Sequence, residues 1–311
     1  MDRRTALKGM AVAGCAVAGV PARGRAQEGH EADPGSYAML YDATRCIGCQ
    51  ACVVACRDAN DLEPPPGPHA RVPGLQGDTA NVIKMFRSPD GGRSSYVKNQ
   101  CMHCADPACV TACMLGSLQK REGGAVTWKP GLCVGCRYCQ IACPFNIPKF
   151  EWDSATPRII KCQLCVTKAG TDDEPGPVAE GGIPACCDVC PVDAVVFGSR
   201  GELLTEAHER IEAEPDRYLD HVYGEHEAGG TQVMYLTGPD VSFREIGLPD
   251  YSDEAVPEPA RNVQHTVYKG FIAPVALYGL MAAAVFRSRR ELEAEEGAGG
   301  DRAAKTEGGD R

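Results

Sequence analysis

The run Cys133-Val-Gly-Cys136-Arg-Tyr-Cys139-Gln-Ile-Ala-Cys143-Pro144 spaces four thiols as C-x2-C-x2-C-x3-C-P. That spacing lets three thiolates on one tight loop take three irons of a single [4Fe–4S] cubane. It turns the fourth thiolate away toward a second cluster. One run therefore requires a partner run elsewhere, and the chain has three more. Group I is Cys46-Ile-Gly-Cys49-Gln-Ala-Cys52-Val-Val-Ala-Cys56, and the run at Cys133 is group III. Group II is Cys101-Met-His-Cys104-Ala-Asp-Pro-Ala-Cys109-Val-Thr-Ala-Cys113, with two residues inserted before its third cysteine and Met114 where proline follows Cys143. Group IV is split: Cys162-Gln-Leu-Cys165, an acidic Gly/Pro-rich insertion over 169–184, then Cys186-Cys187-Asp-Val-Cys190-Pro191.

Placing Cys186 and Cys190 as ligands keeps the ending x3-Cys-Pro seen at Cys139 and Cys143. The four groups then use sixteen of the 18 cysteines and leave Cys15 and Cys187 over. Cys187 is expected to be a small buried residue. His103, between two ligands of group II, is expected to pack or hydrogen-bond, because four thiols are already at hand. Zinc and disulfides are the competing chemistries for so many cysteines. A zinc ribbon leaves the last two thiols of each run without a role, and a disulfide framework has no need of this repeated, crowded spacing. Spacing does not decide which groups share a domain: the gaps from II to III and from III to IV are alike.

The elements that must hold these loops are short. Tyr37 to Tyr41 alternates as a strand and leads into group I. Arg57 to Ser95 contains Pro64-Pro65-Pro66 and several glycines, reads as a long connection lying on the surface or against a partner, and has one strand candidate at Val82 to Phe86. A hairpin strand at Ala125 to Trp128 leads into Cys133, and Ala194 to Phe197 reads as a closing strand. Past Arg200 the chain is expected to leave the cysteine-bearing core, with a helix over Glu202 to Ala213 and a glycine turn into a strand within Tyr223 to Gly238. His221 and His226 read as parts of a soluble surface loop.

At 311 residues there is room for two domains, and the net charge of −10 argues against a nucleic-acid partner. Asp2-Arg3-Arg4-Thr5-Ala6-Leu7-Lys8 and the apolar run Gly9 to Val20 form a charged and then a short hydrophobic region, which resembles a twin-arginine export signal over 1–26. A lipoprotein signal at Val12-Ala13-Gly14-Cys15 is the rival reading. Near the other end, Gly270 to Phe286 is apolar and flanked by Lys269, Arg287, Arg289 and Arg290. Its length of roughly 25 Å, extended back to Val267, predicts a transmembrane helix over 267–286. The basic cluster after it places 287–311, a disordered tail, in the cytoplasm and the cysteine groups in the periplasm.

The order of four groups, with the second expanded and the fourth split, resembles the four-cluster electron-transfer subunits of membrane oxidoreductases such as formate dehydrogenase, dimethyl sulfoxide reductase and polysulfide reductase complexes. The segment Gly229 to Gly238 and the ending Asn262-Val-Gln-His-Thr-Val-Tyr-Lys-Gly270 are similar to the subunits of this kind that serve membrane-bound nickel–iron hydrogenases of the hydrogenase 2 type. The resemblance implies an α+β fold of two ferredoxin-like domains, one inserted in the other, each with two [4Fe–4S] clusters. The outer domain would comprise 36–98 and 158–200, the inserted one 99–157, with an interaction extension over 201–266. It also implies nested ligation. One cluster takes Cys46, Cys49, Cys52 and Cys190, and its neighbour Cys162, Cys165, Cys186 and Cys56. The inserted pair takes Cys101, Cys104, Cys109 with Cys143, and Cys133, Cys136, Cys139 with Cys113.

By the same resemblance the partners would be hydrogenase small and large subunits, a multi-helix membrane subunit that reduces quinone, and membrane lipid. The chain itself should do no bond chemistry, since it has no nickel site, nucleotide fingerprint or nucleophile triad. A molybdopterin oxidoreductase in place of the hydrogenase, or a membrane-anchored zinc or disulfide scaffold, are the alternatives.

Overall fold

The computed structural model describes residues 32–64, 74–88, 94–152, 154, 157–263 and 274–290. The expected export signal lies outside these residues, as does the expected disordered tail past Arg290; the first four residues given to that tail, 287–290, are instead helical. The described residues up to Pro257 make one compact unit and those from Glu258 another.

In the first unit the strand expected near Tyr37 is β1 (Tyr37–Asp42), the centre of a three-stranded sheet. β6 (Val195–Ser199) lies antiparallel on one side, pairing Met39 with Phe197. β7 (Val233–Leu236) lies parallel on the other, pairing Met39 with Val233. Two hairpins stand apart from this sheet. One pairs β2 (Asn81–Arg87) with β3 (Ser94–Gln100), and the other pairs β4 (Leu118–Lys120) with β5 (Val126–Trp128). The helices are mostly single turns that begin inside cysteine groups: α1 (Ala51–Ala59), α2 (Ala108–Thr111), α3 (Tyr138–Ala142) and α4 (Ala185–Asp188). The longest of the first unit is α5 (Arg200–Ala213).

Strand alternation divides the core into two layers. Met39, Tyr41, Val233 and Tyr235 pack with Cys52, Leu164, Cys186 and Cys187 in one cluster. Ala38, Leu40, Met234 and Leu236 pack on the opposite face against Leu203, Ala207 and Ile211. Those three residues recur every four positions and so form one stripe of α5. The helix begins at a capping box in which Ser199 and Glu202 satisfy each other's backbone N–H groups. Truncating a buried leucine such as Leu203 to alanine costs about 2–5 kcal/mol.

Two expectations are corrected here. The connection between groups I and II contains the β2–β3 hairpin as well as loops. β3 escaped the sequence reading because Val97 and Lys98 are buried side by side, which breaks the apolar alternation of a half-buried strand. The chain also does not leave the core after Arg200. β7 is a full member of the sheet, and the amides of Gln232 and Val233 donate to the Met102 carbonyl inside group II (3.1 and 3.2 Å). Arg200, buried, fixes this return by donating to the carbonyls of Thr231, Gly224 and Glu225. The strand expected within Tyr223 to Gly238 is β7, but its place in the sheet depends on hydrogen bonds to β1, far back in the chain.

In the second unit residues 274–290 are helical. Among the described residues no helix is long and apolar enough to cross a membrane. The expected span over 267–286 lies partly on residues outside the described set.

Candidate metal centres

Groups I and III fold alike, as their shared spacing demands. Gly48 and Gly135 have φ of 69° and 70°. Gln50 and Arg137, which start α1 and α3, are both left-handed at φ 63°, ψ 8°. Left-handed residues alternating with ordinary ones turn successive amides to one side, a concavity suited to anionic sulfur. Glycine is required at Gly48, where an added Cβ would lie 2.3 Å from the Tyr96 ring.

The Cys-Pro endings repeat as well. Cys143 Sγ accepts from the Ile147 amide at 3.5 Å, and Cys190 Sγ from the Ala194 amide at 3.3 Å. In each case the residue before the donor is left-handed, Asn146 and Asp193. Group II has Met114 instead of proline, yet Gly116 occupies the same position after Cys113 with φ 65°. Its turn is therefore made by glycine.

Among the described residues no three His, Cys, Asp or Glu side chains meet as ligands of one metal ion. Thiolates that each bind a different iron of a cubane ring a space instead of meeting at a point. Two such spaces occur among the described residues. One is lined by Cys46, Cys49, Cys52 and Cys190, together with Tyr41 and Ile83. The other is lined by Cys113, Cys133, Cys136 and Cys139, with Trp128 and Phe150 in its wall.

The remaining eight thiols form two neighbourhoods in the interior. Burial pushes the Cys104 thiol up, and Cys101 and Cys143 add to the effect. Cys109 is raised by burial and then by Cys101, Cys143 and Cys104. Cys56 is raised by burial and next by Cys186 and Cys162. Burial also raises Cys162 to about 12, with further contributions from Cys186, Cys165 and Cys101. Cys186 departs from this pattern: a hydrogen bond from the Cys187 thiol is the main reason that it falls to about 6. So Cys187, buried as expected, touches a ligand candidate directly.

Cys52 neighbours Cys186, Cys162 neighbours Cys101, and Cys109 packs in one cluster with Cys113, Cys133 and Cys139. Cys49 and Cys136 are exposed.

The donor set fits a cluster. Buried thiols that resist ionisation next to one another become thiolates when a cation holds them, since metal binding and deprotonation are linked. The wall of the Cys113–Cys139 space also contains two N–H groups, Trp128 Nε1 and Arg137 Nε, that are buried and have no hydrogen-bond partner among the described residues. A buried donor normally has an acceptor, and hydrogen bonds to cluster sulfur are one means by which proteins set cluster potentials. The Arg137 guanidinium is held over the Trp152 ring at 4.1 Å.

His103 is fully buried, with Nδ1 accepting from the Val126 amide at 2.9 Å. Burial, reinforced by Lys161, Lys120 and Lys98, holds its pKa far below the usual range, so it is a neutral hydrogen-bonding side chain. His221 and His226 are exposed, and His221 pairs with Glu227 at 2.5 Å.

Sequence comparison agrees with this chemistry. A family model described as a 4Fe-4S dicluster domain matches residues 93–200, and a second of the same description matches 45–117. The chain is 35% identical to the hydrogenase-2 operon protein HybA of Escherichia coli O157:H7, over 97% of this chain and 99% of that protein. It is 32% identical to the iron–sulfur subunit of the nitrate-inducible formate dehydrogenase of Escherichia coli K12, over 79% of this chain and 81% of that one. For the formate dehydrogenase-O iron–sulfur subunit of the same organism the identity is 33%, over 79% of each.

Proposed function

The chain belongs to the family of [4Fe–4S] iron–sulfur subunits that includes HybA and the formate dehydrogenase subunits, and from this premise we propose that it is the electron-transfer subunit of a membrane-bound hydrogenase complex. It carries [4Fe–4S] clusters. Bound clusters supply one-electron redox chemistry.

The chain's own part is to hold and desolvate them. In this reading Cys46, Cys49, Cys52 and Cys190 hold one, and Cys56, Cys162, Cys165 and Cys186 its neighbour. Cys101, Cys104, Cys109 and Cys143 hold the third, and Cys113, Cys133, Cys136 and Cys139 the fourth. The observation that supports this most is the lining of the two cavities. In each, the fourth cysteine comes from a group other than that of the first three, as a nested pair of ferredoxin-like domains requires.

The exposed Cys136 is rimmed by exposed Met114, Val134, Tyr138, Ile141 and Trp152. Apolar surface of that kind is suited to a protein partner. The partners proposed are a hydrogenase small and large subunit on one side and a quinone-reducing membrane subunit on the other. Identity to HybA across nearly the whole chain favours hydrogenase over a molybdopterin enzyme. The periplasmic face of the inner membrane, export by the twin-arginine route and a helical anchor over 267–286 complete the proposal, and they rest on the sequence.

The test is iron and acid-labile sulfide analysis of anaerobically purified complex, with EPR after reduction by hydrogen. About sixteen irons and coupled [4Fe–4S]+ signals under hydrogen are expected. Zinc in place of iron would overturn the electron-transfer role, and reduction by formate but not hydrogen would overturn the hydrogenase assignment.

A further inference from the structure

Lys98 is a charged group with no ordinary reason to be where it is. It lies on β3 and is fully buried. No carboxylate pairs with it among the described residues. Its ammonium donates to Gln100 Oε1 and to the Cys186 sulfur, and Gln100 is itself anchored to Met39 Sδ at 3.3 Å. Tyr235 Oη fixes the backbone by donating to the Lys98 carbonyl at 2.7 Å. Around the ammonium stand four thiols from two cradles: Cys52 from the first, and Cys186, Cys162 and Cys56 from the second. Burying an ammonium without a counter-ion costs several kcal/mol. Here the only anionic groups at hand among the described residues are the sulfur atoms that would hold the clusters, with Gln100 fixing the ammonium among them.

We infer that Lys98 is a positioning residue for electron transfer, a fixed positive charge between the first two cradles that raises the reduction potentials of the clusters in both. A cluster gains one negative charge on reduction, and a nearby cation in a medium of low dielectric favours the more negative state. The effect runs against the chain's overall charge of −10, and proximity decides the contest. Charges on the surface are screened over about 10 Å of salt solution, whereas Lys98 is not. This inference rests on the cluster ligation proposed above.

The experiment is an EPR-monitored redox titration of the intact complex with Lys98→Met and Lys98→Arg. Lys98→Met should lower two of the four midpoint potentials by at least the equivalent of a tenfold change in equilibrium constant, about 59 mV for one electron. Lys98→Arg should restore them, and Lys84→Gln, on the partner strand β2, should leave all four unchanged. Four intact clusters with unmoved potentials in Lys98→Met would overturn the inference while leaving the electron-transfer reading in place. Wild-type protein without iron would instead sink that reading. If both variants lose clusters, pulsed EPR on unaltered protein labelled with 15N-lysine decides the matter. Hyperfine coupling from a lysine nitrogen to a reduced cluster is expected, and its absence overturns the inference.

Discussion

Cys190 lines the same cavity as Cys46, although one comes from the last cysteine group and the other from the first. β1 and β6 bring them together. β1 leads into Cys46, β6 follows Cys190, and the two strands pair antiparallel from Tyr37–Ser199 to Tyr41–Val195. Between those strands lies the whole of groups II and III.

Replacing Cys190 with serine should therefore remove one cluster and leave three. Iron analysis should fall by about four per chain, with the EPR of the distant Cys113–Cys139 site retained. Cys187→Ala should keep the full iron content, because its thiol only donates to Cys186. Loss of a whole cluster in Cys187→Ala would show that the two neighbours have been assigned in the wrong order.

Gly48 and Gly116 are both left-handed, at φ 69° and 65°, yet their surroundings differ. Alanine at Gly116 meets nothing within 4 Å, so its cost should be about 1–2 kcal/mol of backbone strain alone. Alanine at Gly48 adds a collision with Tyr96, whose carbonyl accepts from Tyr41. Denaturant unfolding should show Gly48→Ala as clearly the more destabilised, with the Cys46 site the first to lose iron.

Asp42, fully buried at the end of β1, accepts from Thr44 Oγ1 at 2.6 Å, Tyr218 Oη at 2.8 Å and Arg210 Nη1 at 3.1 Å. Asp42→Ala leaves the buried Tyr218 hydroxyl without its acceptor and removes one of the two carboxylates on Arg210, which keeps Glu206. About 1–3 kcal/mol of stability should be lost, measurable as a lower denaturant midpoint with an unchanged slope.

Asp173, in the acidic insertion, pairs with Lys129 and Arg121. A hydrogen bond from Lys129 and the charge of Arg121 hold its carboxyl below the ordinary value of 3.8. A depressed carboxylate adds stability that is complete above the unfolded pKa and is lost as pH falls through the folded one. Wild type should thus be more stable than Asp173→Asn at neutral pH, and the two should converge below about pH 4. The difference should be small, since the pair is partly exposed.

The number of cysteine groups, their chemistry, the repeated loop of groups I and III, and β1, β2, β5, β6 and α5 could all be read along the chain, because each depends on residues within a few positions of one another. Spacing of thiols on one loop and the left-handed glycine between them are local matters of backbone geometry. Which cysteine completes which ring was not determined in that way: two pairings had equal gaps, and a resemblance to known proteins was needed to choose. Sheet pairing of β6 with β1 brings Cys190 into the cavity of Cys46, through hydrogen bonds between segments far apart in sequence. The same holds for Lys98. In the sequence it is a lysine in a connection of no evident pattern, as ordinary as any on a surface. Folding of the β2–β3 hairpin against the core carries it among four thiols, where its charge cannot be screened.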